Sequence, residues 1–571
     1  MNTSNIVEKL KLLAINNSDL LAYCMVSKNE IIDSYTYKDL DNRAKSIAGF
    51  LQSKNLNKER VIIALPQSLD FIAAFFGCLY AGVMVVPSYP PYNQKQTKRI
   101  KSIAKDSQAD FIIASNKVIN LFDSSDDSLE INDFKFIDID EIKDDFISNY
   151  KENEIKIDDI AFIQYTSGST GLPKGVVINH ENIMTNVAML GEVFRNTSKD
   201  IFGGWLPFFH DMGLVTMILR TIYFGSTAYL MTPIDFIKNP ISWLEMISKY
   251  KITDSGSPNF GYDACFNEIS DDLIKNLDLS HWRVAFNGAE PIREMTIKNF
   301  SQKFSSTGFK EESFLPCYGM AEVTVFISGS MGGDLPVFES ISTEEFEKGK
   351  IKLDIGKNSK MLVSSGRLPS NEIIKIVNPD ELTSCNNSEI GEIWVSGKHV
   401  GKGYWNKPEI SKQIFEAFTT DTNEGPFLRT GDLGFMKNGE LFITGRLKDL
   451  IIIRGKNYAP QDIEFVAESV NESIKNNCSS AFSIDVNDEE VLIIIAEIDK
   501  KYSENIDIEK IKNLVRRKVS SECGLSIYDF VLIKNNTIPR TTSGKIQRSG
   551  CKKAYLENNL SIFENTLVKS I

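Results

Sequence analysis

The sequence predicts an α/β protein. A large N-terminal part holds two parallel-sheet subdomains and a small β-barrel-like subdomain, and a separate α+β domain follows. Three observations lead there. Apolar, strand-like runs alternate with amphipathic helical stretches from about residue 60 to residue 114 and again from 201 to 314, as in βαβ units of a helix-covered parallel sheet. After about Gly391 the texture changes to short apolar runs between glycine turns. From Ala459 onward the order becomes helix, strand, strand, helix. The chain has 571 residues, room for three to four units at roughly 150 residues each.

Taken in order, residues 60–65 (RVIIAL) read as a buried strand, 70–80 as a helix and 82–87 as the next strand. Residues 95–106 are helical in pattern and 110–114 form another strand. The acidic, Asn- and Ser-rich stretch from about 123 to 156 reads as a surface excursion. Residues 160–163 (IAFI) make a strand, and residues 391–397 and 439–445 make short strands of the β-rich unit.

Composition excludes several classes. An apolar fraction of 42% and a charged fraction of 25% are those of a soluble globular chain. The balance of 64 Lys+Arg against 76 Asp+Glu, net −12, is a poor match to a nucleic-acid backbone, so no nucleic-acid partner is expected. Eight cysteines stand singly, none in C-x-x-C spacing, which leaves little support for zinc or dithiol chemistry. The first twenty residues carry Glu8, Lys9 and Lys11 and lack the apolar core of a secretory signal. The longest uncharged apolar run, 71–87, is interrupted by Gly77 and Gly82 and falls short of the ~20 residues that span a bilayer. These features predict no transmembrane segment and a cytoplasmic location.

The strongest local signal is YTSGSTGLPKG at 165–175, directly after an apolar strand. Its glycines let backbone N–H groups curl toward an anion. Thr166, Ser167, Ser169 and Thr170 add hydroxyl donors and Lys174 adds a cation. A Walker A loop needs Ser or Thr after its lysine, and here Lys174 precedes Gly175. A flexible Ser/Gly surface loop is the plain alternative, and the preceding strand with the Pro-Lys-Gly ending argues against it.

The loop resembles the phosphate-binding signature of the acyl-adenylate-forming superfamily: acyl-CoA synthetases, luciferases, adenylation domains and fatty acyl-AMP ligases. Six further segments resemble the other motifs of that family, in its order: WLPFFHDMGL (205–214), NGAEP (287–291), YGMAEVT (318–324), RTGDLG (429–434), GRLKD (445–449) and PRTTSGK (539–545). The resemblance runs through nearly the whole chain. It implies ATP and Mg2+ as cofactors, an N-terminal AMP-binding domain at 1–446, and a mobile C-terminal lid at 447–571 that turns about a hinge at Lys448.

The resemblance also implies roles. Thr166, Ser167, Gly168, Ser169, Thr170, Gly171 and Lys174 would cradle pyrophosphate. Glu322, with Thr166, would hold Mg2+, an ion that takes a carboxylate together with phosphate oxygens and water. Asn287, Gly288, Ala289 and Glu290 would line one face of the adenine, with Cys317, Tyr318, Gly319 and Met320 beside it and the Tyr318 ring on the other face. Asp432 would accept from the ribose hydroxyls, and Arg446 would support the ribose or the phosphate. His210, one of four histidines, would gate the acyl pocket near the reacting carboxylate. Trp205, Met212, Gly256, Pro258, Asn259, Phe260 and Tyr262 would line the acyl tunnel. Lys545 would neutralise charge between the carboxylate and the α-phosphate.

Two features resemble the fatty acyl-AMP ligase branch in particular: the WLPFFHDMGL run, and about 30 extra residues at 333–362 that are similar to its domain-restraining insertion. This branch implies a fatty acid substrate and transfer to the phosphopantetheine of an acyl carrier protein or polyketide synthase. Too few residues follow Lys545 for a carrier domain, so the carrier is expected in trans, with Arg516, Arg517, Lys518, Arg540 and Arg548 as cations to meet it. The chain is expected to be a monomer or weak dimer. A fatty acyl-CoA synthetase is the runner-up, and an inactive nucleotide-binding homologue is the alternative from another class. The presence of Lys545, Glu322 and Asp432 argues against the last.

Overall fold

The computed structural model describes residues 5–123, 134–166, 173–356, 358–370, 372–453, 456–486, 489–502, 506–541 and 544–563. Two large sheets dominate. The first has six strands in the order Lys135–Asp138, Phe111–Ala114, Arg60–Ile63, Met84–Pro87, Ile160–Thr166, Lys174–Asn179. All neighbours are parallel except the last pair. The second has eight strands in the order Ser328–Gly329, Phe314–Tyr318, Val284–Asn287, Asp254–Ser257, Ile201–Gly204, Thr227–Leu230, Leu21–Ser27, Glu30–Thr36. It is parallel inside, with an antiparallel strand at each edge. In such sheets ligands collect beyond the carboxyl ends of the strands. Here those ends carry Thr166, Ser257, Asn287 and Tyr318.

Helix Leu69–Ala81 shows how sequence sets the packing. Every residue but Asp70 is buried, as expected of a helix that is apolar all round. The Ser68 side chain caps its start by accepting from Phe71 N at 3.3 Å. Gly82 stops it in the left-handed region at φ +70°, where a side chain is disfavoured.

The stretch expected as a surface excursion contributes to the fold. Lys135–Asp138 pairs in parallel with Phe111–Ala114 and extends the sheet edge. Phe146 lies edge-on to Phe50 at 5.1 Å. Residues 124–133 lie outside the described part.

The β-rich unit is not a barrel. It is an open antiparallel sheet, Ile373–Val377, Gly391–Ser396, Leu428–Lys437, Glu440–Arg446 in that order, and its outer strands do not pair with each other to close it. Residues 333–362 supply most of an antiparallel pair, Phe338–Ser342 with Ser359–Val363, around helix Thr343–Glu347. Ile341, Phe346 and Leu362 pack there on Phe435 and Phe442, whose rings stack at 4.9 Å.

The C-terminal part has its own core. Strands Ile474–Val486, Glu489–Ile498 and Ile527–Ile533 form one sheet, and Ile463, Ala467, Val515 and Val519 of helices Pro460–Glu468 and Ile508–Cys523 pack beneath it. The expected helix–strand–strand–helix order is thus extended by a third strand and the helix Arg548–Leu556. Among the described residues no helix is long and apolar enough to cross a membrane.

Candidate active site

Antiparallel strands Ile160–Thr166 and Lys174–Asn179 bound the glycine-rich segment, with Thr166 opposite Lys174. Ser167, Gly168, Ser169, Thr170 and Gly171 lie outside the described residues. The two anchors are well fixed. The Thr166 carbonyl accepts from Arg99 at 2.9 Å. Lys174 Nζ stands 5.0 Å from the centre of the Tyr404 ring. Burial lowers the pKa of Lys174, the positive charges of Lys448 and Lys407 act in the same direction, and Glu322 opposes them. Cations gathered this closely suit an anionic ligand.

Segment 205–213 closes the next side. Gln164, on the strand leading into the loop, donates to Phe209 O at 2.9 Å and ties the two together. His210 Nδ1 and Asp211 Oδ1 lie 2.5 Å apart, so these adjacent side chains converge. Met212 N donates to the same Asp211 oxygen at 2.6 Å. Burial would raise Asp211, yet its pKa is lowered, because His210, Lys545 and the Met212 N–H outweigh it.

Strand ends supply the third side. Asp432 accepts from Tyr318 Oη at 2.7 Å and from Arg446 Nε at 2.8 Å. Tyr318, whose ring is expected on one face of the adenine, thus also supports Asp432 through its hydroxyl. Gly319 admits no side chain: a Cβ would stand 1.7 Å from Val325 O. Met320 begins the short turn Ala321–Val323 that carries Glu322. Glu322 is buried, which raises its pKa, and it accepts from Tyr404 Oη at 2.8 Å.

Asn287 donates to Asn259 Oδ1 at 2.9 Å. Gly288 packs against Cys317, whose thiol burial pushes up to about 12. Ala289 takes the left-handed φ of +71°. Glu290 is turned toward helix Asn259–Glu268, accepting from Phe260 N at 2.9 Å, and burial raises its pKa. This carboxylate is thus engaged by the helix start.

Of the expected tunnel residues, Trp205 stacks on Phe236 with ring centres 4.1 Å apart and meets Phe260 edge-on at 5.6 Å. Met212 is buried nearby in sequence, and Pro258 caps the helix that Asn259 and Phe260 begin. A Cβ on Gly256 would stand 2.3 Å from the Phe286 ring. Tyr262 belongs elsewhere. It is fully buried among Trp243, Trp282, Phe300 and Phe314, and its hydroxyl donates to Phe286 O at 2.9 Å, so it is a core residue.

Lys545 arrives from the C-terminal part. Burial lowers its pKa; Asp211, Glu290 and Asp432 act to raise it, and Arg446 to lower it. One lysine thus feels charges from four of the motif segments. Lys448 sits in the turn Leu447–Asp449 that leaves strand Glu440–Arg446. Two cations expected to face a carrier are engaged internally: Arg548 with Glu464 at 2.6 Å and Asp449 at 3.3 Å, and Arg540 with Asn477 O at 3.2 Å and Gly544 O at 2.7 Å. Lys518 pairs with Glu522 at 2.6 Å, while Arg516 and Arg517 are exposed. Tyr404, Phe236 and Trp243 had no chemical signal in the sequence. Each is an aromatic residue of a kind any core contains.

The ends of parallel strands thus converge with a lysine brought from the C-terminal part. The model of the "AMP-binding enzyme" family matches residues 18–405, and the chain belongs to that family. Residues 448–565 match the "Disco-interacting protein 2-like, AMP domain". The chain is 39% identical to the medium-chain-fatty-acid–[acyl-carrier-protein] ligase JamA of Moorena producens, over 98% of this chain and 96% of that one. It is 36% identical to the ligase TtuA of the same description from Teredinibacter turnerae, over 95% and 92%. A solved fatty acyl-adenylate ligase of L. pneumophila in complex with acyl adenylate and pyrophosphate superposes with a TM-score of 0.77, at 37% identity over 98% of this chain and 97% of that one.

Proposed function

We propose that this enzyme activates a medium- or long-chain fatty acid with ATP and passes the acyl group to the phosphopantetheine thiol of an acyl carrier protein or polyketide synthase carrier domain acting in trans. The observation that carries the reading is the Lys545 ammonium, brought from the C-terminal part to within electrostatic reach of Asp211, Glu290, Asp432 and Arg446.

In the first half-reaction a carboxylate oxygen of the fatty acid bonds to the α-phosphorus and the bond to pyrophosphate breaks. Two anions must approach, and the transition state spreads further negative charge over the phosphoryl oxygens. Positioned cations and N–H groups stabilise that charge. Lys545 does so between carboxylate and α-phosphate. Lys174 and the loop 167–171 hold the departing pyrophosphate. His210, fixed by Asp211 at 2.5 Å, borders the carboxylate. Asp432 accepts from the ribose, and Arg446 and Tyr318 hold Asp432. Residues 287–290 and 317–320 flank the adenine, and Trp205, Met212, Gly256, Pro258, Asn259 and Phe260 border the acyl chain.

Magnesium suits the buried carboxylate of Glu322, with the Thr166 hydroxyl as the second protein donor and phosphate oxygens and water to complete the set. When bound, the ion neutralises phosphate charge. In the second half-reaction the carrier thiol bonds to the acyl carbon, and AMP leaves. We assign residues 1–446 to the AMP-binding domain, 447–571 to a lid turning at Lys448, and 333–362 to a restraint on that lid. Lys360 pairs with Asp462 at 2.5 Å and Glu347 with Lys456 at 2.6 Å across the two parts, which supports the restraint.

The test is direct. Purified protein receives labelled fatty acids of C4 to C18, ATP and Mg2+, with holo-carrier protein and coenzyme A offered side by side. Acyl-carrier and little acyl-CoA is the expected result. Preferential acyl-CoA overturns the acceptor assignment, and the absence of acyl-AMP with every acid overturns the activity.

A further inference from the structure

Glu322 is held from two directions by one short segment. Tyr404 Oη donates to Glu322 Oε1 at 2.8 Å, and Gly401 N donates to Glu322 O at 2.8 Å. Residues 401–405 are themselves laced to strand Lys174–Asn179. Lys402 N donates to Val177 O at 2.9 Å, Val177 N to Gly403 O at 2.9 Å, and Trp405 N to Gly175 O at 2.7 Å. The segment therefore acts as an added edge on the strand that leaves the glycine-rich loop. A Cβ on Gly401 would stand 2.9 Å from Val176 Cγ1 and 3.2 Å from Glu322 O, so a larger residue would wedge the edge away.

The Tyr404 ring is wedged in place. Phe415 meets it edge-on at 5.1 Å, and Lys174 Nζ lies 5.0 Å from its centre. One phenol therefore touches both a carboxylate and an ammonium on the phosphate side of the site. Its packing contacts would be kept by phenylalanine. Its single hydroxyl would not.

From this geometry we infer that Tyr404 is a positioning residue that orients the Glu322 carboxylate for the metal, engaging one lone pair of Oε1 and biasing the group toward coordination through a single oxygen. The inference rests on the reading of Glu322 as the Mg2+ ligand given above. The chemistry behind it is the difference between two hard cations. Magnesium demands near-octahedral geometry at short distances, which a chelating carboxylate distorts. Calcium accepts carboxylates through one oxygen or two at longer distances. A carboxylate oriented by a hydrogen bond to one oxygen is biased toward one-oxygen coordination, which suits the first ion better than the second. Groups that orient a metal ligand in this way typically contribute roughly 10–100-fold to metal affinity.

The experiment is binding without turnover. Wild type, Tyr404→Phe and Glu322→Gln are saturated with an ATP analogue carrying a methylene bridge between the α- and β-phosphates. Each is titrated with MgCl2 and, separately, with CaCl2 by calorimetry, and the thermal midpoint is recorded without metal or nucleotide. The expected result is a loss of about tenfold in Mg2+ affinity for Tyr404→Phe and a smaller loss for Ca2+, with no more than the small fall in midpoint that one lost hydrogen bond gives. Glu322→Gln should lose affinity for both ions. If Glu322→Gln weakens Mg2+ binding and Tyr404→Phe does not, the role of Tyr404 is wrong and the metal reading stands. If neither variant weakens it, both are wrong. A loss in Tyr404→Phe without one in Glu322→Gln, or a Tyr404→Phe loss equal for the two ions with a midpoint lowered beyond that small fall, also overturns the inference.

Discussion

Asp432 carries about four lone-pair directions on its two carboxylate oxygens, and the protein uses two of them, for Tyr318 and Arg446. Two remain for the two hydroxyls of a ribose. Asp432→Asn changes that arithmetic while keeping the shape. An amide offers one acceptor oxygen and one nitrogen that only donates. Arg446 has no acceptor to offer that nitrogen, so it must take the oxygen, and one lone pair is left for the ribose. The nitrogen then faces Tyr318, whose hydroxyl can turn and accept. One charge-assisted hydrogen bond to the nucleotide is lost, worth about 1.5–3 kcal/mol, or roughly 10–100-fold in affinity. Arg446 is half exposed and can be solvated once its partner is neutral, so the fold itself should suffer little. Calorimetric titration with ATP measures the loss, and fatty acid binding serves as the internal control. An ATP affinity within a factor of two of wild type would refute the assignment of Asp432 to the ribose. So would a loss of fatty acid binding with ATP binding intact.

Lys545→Ala should slow ATP–pyrophosphate exchange by about 10²–10³-fold, the effect of removing one preorganised charge stabiliser. Transfer to a carrier from supplied acyl-adenylate should stay near wild type, and equal losses in both steps would rule out a role confined to adenylation. Because burial lowers the pKa of Lys545, its ammonium is lost on the alkaline side sooner than that of an ordinary lysine. The exchange rate should therefore fall as pH rises through that lowered pKa, and Lys545→Arg should move the fall to higher pH. A limb that does not move on this substitution would count against it. Gly319→Ala places a Cβ 1.7 Å from Val325 O and 2.7 Å from Val325 C, both backbone atoms that cannot rotate aside. A loss of about 1–3 kcal/mol is expected, read as a lower urea midpoint, with weaker AMP binding. A variant equal to wild type in both would show that the loop 318–326 gives way freely.

The alternating sheets were legible because their strands are short apolar runs bounded by helices with clear caps, as at Ser68 and Gly82. Helix Leu69–Ala81 falls within a residue of its expected bounds. Lys135–Asp138 was hidden because four residues with a charged one at each end carry too little apolar signal, and only its neighbour strand makes it a strand. The barrel expectation failed for a related reason. Glycine turns announce antiparallel strands but not whether the outer two meet. At the site, the motif residues were readable by type, whereas their contacts were not. Nothing in adjacent His210 and Asp211 says that the side chains converge, and a tyrosine 82 positions beyond Glu322 gives no hint that its hydroxyl ends there. Tyr262 was misplaced because an aromatic residue beside a tunnel and one in a core look the same in sequence. Arg548 was misplaced because a basic residue near the C-terminus gives no sign of Glu464 and Asp449.

The contacts that join the two parts of the chain have a consequence for how the enzyme is handled. Lys360–Asp462, Lys456–Glu347 and Arg293–Asn477 are polar pairs at the surface or half-buried. Exposed ion pairs contribute about 0–1 kcal/mol each and fade as salt rises, with a screening length of about 8 Å at physiological ionic strength. The two ion pairs in this seam weaken as ionic strength rises. If residues 447–571 turn as the proposed lid, buffer composition becomes a variable of the catalytic cycle: dilute salt should favour the arrangement seen here, and concentrated salt should favour release without any substitution.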